Sequence, residues 1–148
     1  MVKDMLTEAL VVTNQQAEDW REAVKVCGNL LIHRNKITSD YITSMIESVE
    51  EYGPYMIMLP EIALFHGRPS EGVKEICLSL ATFCKPIEFS EFGSNKTIKA
   101  AFAFGAIDNE SHVELLSKMA ALLQDEEFVS LLRNNGKKEE IMNVIKNY

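Results

Sequence analysis

Between Ile98 and Ile107 the chain is apolar at almost every position, with Ala100-Ala101-Phe102-Ala103-Phe104-Gly105-Ala106 at its centre. It then turns abruptly to Asp108-Asn109-Glu110-Ser111-His112. A short run with no polar face reads as a strand covered from both sides, the central strand of a layered domain. The polar stretch opens a helix. Ser111 with Glu114 matches a capping box, and Val113, Leu115, Leu116, Met119, Leu122 and Leu123 follow at helical spacing.

The rest of the chain interleaves strand and helix patterns. Ala9-Leu10-Val11-Val12 predicts a strand within Leu6 to Val12. From Ala17 to Ile32, Ala17, Trp20, Ala23, Val24, Cys27, Leu30 and Leu31 recur in steps of three and four, one face of a helix. Thr38 or Ser39 caps a second helix, Asp40 to Tyr52, which Gly53-Pro54 stops. Tyr55-Met56-Ile57-Met58-Leu59, bounded by Gly53-Pro54 and Pro60, predicts a buried strand. Lys74 to Phe83 predicts another, followed by a connecting loop over Lys85 to Asn95 with room for a short edge strand. Helices over Glu126 to Leu132 and Lys138 to Ile145 close the chain. Such alternation places it in the α/β class, with a central sheet covered on its faces.

At 148 residues and 47% apolar composition, the chain is one domain able to build a core without disulfides or metal. Its net charge of −7 and lack of a basic run argue against nucleic acid and against an anionic membrane surface. No stretch nears the roughly 20 apolar residues of a membrane span, and no basic-then-apolar leader opens the chain, so the cytoplasm is expected. Cys27, Cys77 and Cys84 form an odd set without CxxC spacing and read as buried, reduced thiols.

Chemistry concentrates at Pro60-Glu61-Ile62-Ala63-Leu64-Phe65-His66-Gly67-Arg68-Pro69, placed as a loop beyond a strand end. Gly67 leaves an approaching group unobstructed, and Arg68 offers a planar fork of donors suited to phosphate. An imidazole beside an arginine suits a phosphoryl acceptor. If the strand before this segment and the one before Asp108 are parallel neighbours, both segments fall at one carboxyl end of the sheet. His66 and His112 then face each other across a shallow pocket. His33, ending a helix among basic neighbours, carries no site role.

The run Gly53-Pro54-Tyr55-Met56-Ile57-Met58-Leu59-Pro60-Glu61-Ile62-Ala63-Leu64-Phe65-His66-Gly67-Arg68-Pro69-Ser70-Glu71-Gly72-Val73-Lys74 resembles the active-site block of enzyme IIA components of the sugar phosphotransferase system. The branch is the mannitol/fructose type, nearest the ascorbate-specific proteins. Trp20-Arg21-Glu22-Ala23-Val24-Lys25 and Asp108-Asn109-Glu110-Ser111-His112 support the resemblance. It implies an α/β fold with a central mixed β-sheet flanked by helices on both faces, spanning residues 1–148 as one domain.

It further implies a cytoplasmic phosphoryl carrier. His66 takes a phosphoryl group from the phosphocarrier HPr and passes it to a cysteine of a IIB component, with a membrane IIC component downstream. His112 positions and stabilises that group, while Arg68 and Gly67 bind phosphate; which nitrogen of His66 reacts is left open. The implied sugar is L-ascorbate or a relative. No cofactor is implied, and no metal, because the phosphoryl donor is itself a phosphohistidine; no nucleic acid and no direct membrane insertion are implied either. The alternative is a regulatory IIA-like module whose phosphorylation state signals to a partner. Phe65 and Glu61 stand where the family usually has proline and glycine, and an added carboxylate at Glu61 is expected to repel a phosphoryl dianion unless it points away.

Overall fold

The computed structural model describes residues 1–69 and 72–148. Ser70 and Glu71, inside the motif just quoted, lie outside the described residues. Among the described residues five strands form one sheet: β1 (Val11–Gln15), β2 (Ile57–Leu59), β3 (Glu61–Phe65), β4 (Cys77–Glu88) and β5 (Thr97–Gly105). Their order is β1-β4-β5-β3-β2. β1 is parallel to β4 and β3 to β5, whereas β4–β5 and β2–β3 are antiparallel. The sheet is therefore mixed, and its two parallel pairs point in opposite directions. The carboxyl ends of β3 and β5 share one end of the sheet, and those of β1 and β4 share the other.

Among the described residues six helices accompany it: α1 (Val2–Met5), α2 (Trp20–His33), α3 (Ser39–Tyr52), α4 (Asn109–Leu123), α5 (Glu126–Arg133) and α6 (Lys138–Ile145). Strand alternation sorts the packing. Ser79 pairs with Ala103 and Ala81 with Ala101, a patch of small side chains on one face. Against it lies α2, where the Ser79 hydroxyl donates to the Cys27 carbonyl at 2.8 Å. On the opposite face Leu80 pairs with Phe102, whose ring meets Phe128 of α5 at 6.3 Å. That small patch lets α2 approach the sheet closely. Close approach continues between α2 and α3, where a Cβ added at Gly28 would fall 2.7 Å from Ile42.

Several sequence expectations shift. The first strand begins at Val11, because Glu8–Leu10 forms a 3₁₀ turn. β4 runs on through Lys85–Glu88, where a loop was expected. Pro86 falls within the register shift between Thr82 and Ile87, so the donor it lacks is missing where the ladder is already interrupted. The cap of α4 is Asp108, whose carboxylate accepts the Ser111 N–H at 2.7 Å, and not Ser111 itself.

The largest shift concerns the strand that leads to His66. Pro54–Met56 is a 3₁₀ turn, and β2 is a three-residue edge strand with Met58 exposed. The buried strand is β3, within the segment read as a loop. Pro60 turns the chain between β2 and β3, and Glu61 completes that turn at φ 69, the left-handed region that favours glycine.

Candidate active site

His66 follows β3 directly, and β3 pairs in parallel with β5 up to Phe65 opposite Ala103. One more step places His66 beside Phe104 on the large-residue face, and the two rings stack at 4.8 Å with planes 21° apart. β3 and β5 are thus the parallel neighbours anticipated from sequence, with β3 in place of the Tyr55–Leu59 run.

His112 arrives from α4. Its spacing from buried Leu115, Met119 and Leu122 puts it on the helix's inner stripe, in the first turn behind the Asp108 cap. Its ring lies 5.4 Å from that of His66 and 5.3 Å from that of Phe104. The two histidines therefore meet over Phe104, a residue read from sequence only as core. Burial pushes the pKa of both imidazoles down; at His66 the backbone bond to Leu64 opposes this, while the neighbouring His112 adds a smaller push downward. His66 is held neutral.

Its tautomer follows from one contact. His66 Nδ1 lies 2.8 Å from the Leu64 carbonyl, an acceptor only, so Nδ1 carries the proton and donates it there. Nε2 then presents a lone pair. Tyr55, from the 3₁₀ turn, places its hydroxyl 3.5 Å from that nitrogen.

The loop beyond is fixed by a second tyrosine. Buried Tyr41 of α3 accepts the Gly67 N–H at 2.9 Å and donates to the Phe104 carbonyl at 2.7 Å, bracing the ends of β3 and β5 together. A Cβ at Gly67 would fall on the Ser44 hydroxyl and 3.1 Å from the Tyr41 ring, so only glycine lets the loop sit this close to α3. The Gly67 N–H, expected as a phosphate donor, is engaged by Tyr41. Arg68 is exposed, one residue on from Gly67, and among the described residues no hydrogen bond or ion pair joins it to either histidine. Glu61 starts β3 at the end remote from His66, roughly 16 Å away at 3.3 Å per residue. The repulsion expected of it does not arise at that distance.

Exposed apolar side chains lie near this end of the sheet: Tyr52 (62% exposed) and Tyr55 (42%) on the His66 side, Val113 (62%) next to His112 in sequence and Ile107 (47%) just ahead of the Asp108 cap. Tyr55 and Tyr41, like Phe104, were missed from sequence as parts of the site. Both sit in apolar or amphipathic patterns, and only the adjoining Gly53-Pro54 hinted that Tyr55 is not in a regular strand.

Comparison with known proteins places nearly the whole chain in one family. Residues 4–148 match the family described as phosphoenolpyruvate-dependent sugar phosphotransferase system, EIIA 2. The chain belongs to this family. It is 34% identical over 146 residues to the ascorbate-specific PTS system EIIA component of Escherichia coli strain K12, covering 97% of this chain and 94% of that one. Its fold resembles the solution structure of the mannitol-specific cryptic phosphotransferase enzyme IIA CmtB from Escherichia coli, with TM-score 0.88, 26% identity and 99% of each chain covered. It also resembles the enzyme IIA of mannitol from the same organism, solved in complex with phosphorylated enzyme IIB, with TM-score 0.81 and 97% and 98% coverage; at 17% identity this likeness is one of fold. The chain is thus a IIA component, a phosphotransfer protein of a sugar phosphotransferase system. Among the described residues no helix is long and apolar enough to cross a membrane, and no group of three or more His, Cys, Asp or Glu could hold a metal.

Proposed function

We propose that this chain is a cytoplasmic phosphoryl carrier of a sugar uptake system, taking the phosphoryl group from phospho-HPr on His66 Nε2 and passing it to a cysteine of a IIB component. The observation that carries this reading is the Nδ1–H bond to Leu64, which leaves Nε2 as the one nucleophilic atom of a neutral ring. Attack forms the N–P bond from the Nε2 lone pair, and the pair of the donor's P–N bond returns to the donor nitrogen. Nδ1 keeps its proton, and the Leu64 carbonyl stabilises the positive charge that develops on the ring. His112 and exposed Arg68 are the donors for the phosphoryl oxygens, and Gly67 sets the loop. Positioning and charge stabilisation are most of what such a transfer demands. The apolar border of Tyr52, Tyr55, Ile107 and Val113 is the surface on which HPr and the IIB component dock in turn. The IIC component, in the membrane, then handles the sugar; similarity to a 34% identical ascorbate-specific protein supports L-ascorbate or a relative.

The test is intact-mass spectrometry after incubation with phosphoenolpyruvate, enzyme I and HPr. Wild type is expected to gain one acid-labile phosphoryl group and His66→Ala none, with the fold of the variant retained. A phosphoryl group on His66→Ala refutes the assignment. A wild-type chain that accepts the group but does not pass it to IIB turns the reading toward a regulatory module.

A further inference from the structure

Resting on the reading of His66 as a phosphoryl carrier, we propose that Tyr55 is a third donor of the active site. Its hydroxyl caps the Nε2 lone pair at rest and moves to a phosphoryl oxygen once the N–P bond has formed. The phenol meets the imidazole edge-on, with centroids 5.7 Å apart and planes at 72°, and Tyr52 holds its ring edge-on at 5.7 Å and 74°. Because Nδ1 carries the ring proton, Nε2 can only accept, so Tyr55 can only donate to it. The phenol keeps its proton: partial burial and neighbouring Tyr52 push its pKa up, against the opposing influence of the Ser48 hydroxyl.

The length of the contact is what suits it to this role. At 3.5 Å the hydroxyl shields the lone pair while holding it only weakly, so an incoming phosphorus displaces it at little cost. A phosphoryl group on Nε2 brings its non-bridging oxygens into reach of that hydroxyl, and an O–H donated to a charged oxygen is roughly twice as strong as one donated to a neutral acceptor. The hydroxyl therefore favours the phosphorylated state over the resting one. No proton leaves the phenol at any stage.

Tyr55→Phe keeps both ring contacts and removes only the hydroxyl. Wild type and variant are each equilibrated with phospho-HPr, and the phosphoryl distribution is read by intact mass. The variant's equilibrium constant is expected to fall roughly ten-fold, the loss of one hydrogen bond to a charged group. A constant within about twofold of wild type overturns the proposal, since packing alone does not move this equilibrium. Nitrogen-15 NMR of the unphosphorylated proteins reads the resting contact: the Nε2 resonance is expected to shift in the variant, and an unshifted resonance overturns that half. A wild-type chain that takes no phosphoryl group overturns the carrier reading itself, an outcome distinct from equal constants in the two proteins.

Discussion

At each end of the sheet a strand leads into a helix capped by an aspartate: β1 into α2 behind Asp19, and β5 into α4 behind Asp108. What gathers around the two caps differs. At the β1–β4 end charges are locked in place. Arg21 donates to Glu91 and Glu50 and lies over the Trp20 ring at 4.3 Å, while the Trp20 indole N–H donates to Glu91 as well. Trp20 also packs on Phe89 and Phe92, so the whole connection after β4 is pinned to α2 and α3. At the β3–β5 end the groups are neutral rings, and among the described residues no ion pair joins His66, His112, Tyr55 or Phe104. A dianion arriving there has no resident pair to break, and one leaving strands no buried charge. One end holds the fold with fixed charges, and the other carries the proposed site.

That division can be broken most forcefully at Trp20. Trp20→Ala is expected to cost about 3–5 kcal/mol of stability through lost packing, measured by urea unfolding. Phosphoryl acceptance per folded molecule should stay unchanged; its loss in protein still folded would mean that the two ends are coupled. A smaller effect sharpens the site end. Both histidines have folded pKa values below the ordinary 6.5, so the unfolded chain binds more protons as the solution acidifies. Stability is then full above about pH 6.5 and is lost as pH falls through that value toward the depressed ones. The urea midpoint should drop between about pH 7 and pH 5, and drop less in His66→Ala; equal slopes would deny that His66 is held neutral. The smallest effect lies between the two ends. Glu61→Gly is expected to gain about 0.5–1 kcal/mol by relieving the left-handed backbone, offset in part by glycine's freedom when unfolded. A destabilised variant would show that the Glu61 side chain contributes more than its backbone costs.

Those same places mark what the sequence could carry. α2 and α3 were legible because each repeats its apolar residues through several turns and ends on a recognisable stop. β2 and β3 were not, since Ile57–Leu59 and Ile62–Phe65 are equally apolar, and pattern alone does not say which run is buried. The signal that separates them, a tight turn after Pro60, lost its usual mark when Glu61 took a glycine's conformation. Pro86 misled in the opposite sense, suggesting the end of a strand that continues past a register shift. His66 and His112 stood out as reactive types at strand and helix boundaries. Tyr41, Tyr55 and Phe104 did not, because their parts in the site depend on contacts between elements distant in sequence.

The three thiols carry a practical consequence. Burial pushes Cys27 and Cys77 up to about 12, whereas Cys84 is half-buried far along β4, toward the end of the sheet away from His66. A maleimide dye should therefore label the native chain at one position without any engineered cysteine. A reporter attached there would follow partners docking over His66 by fluorescence or tumbling rate, while leaving the reacting surface bare.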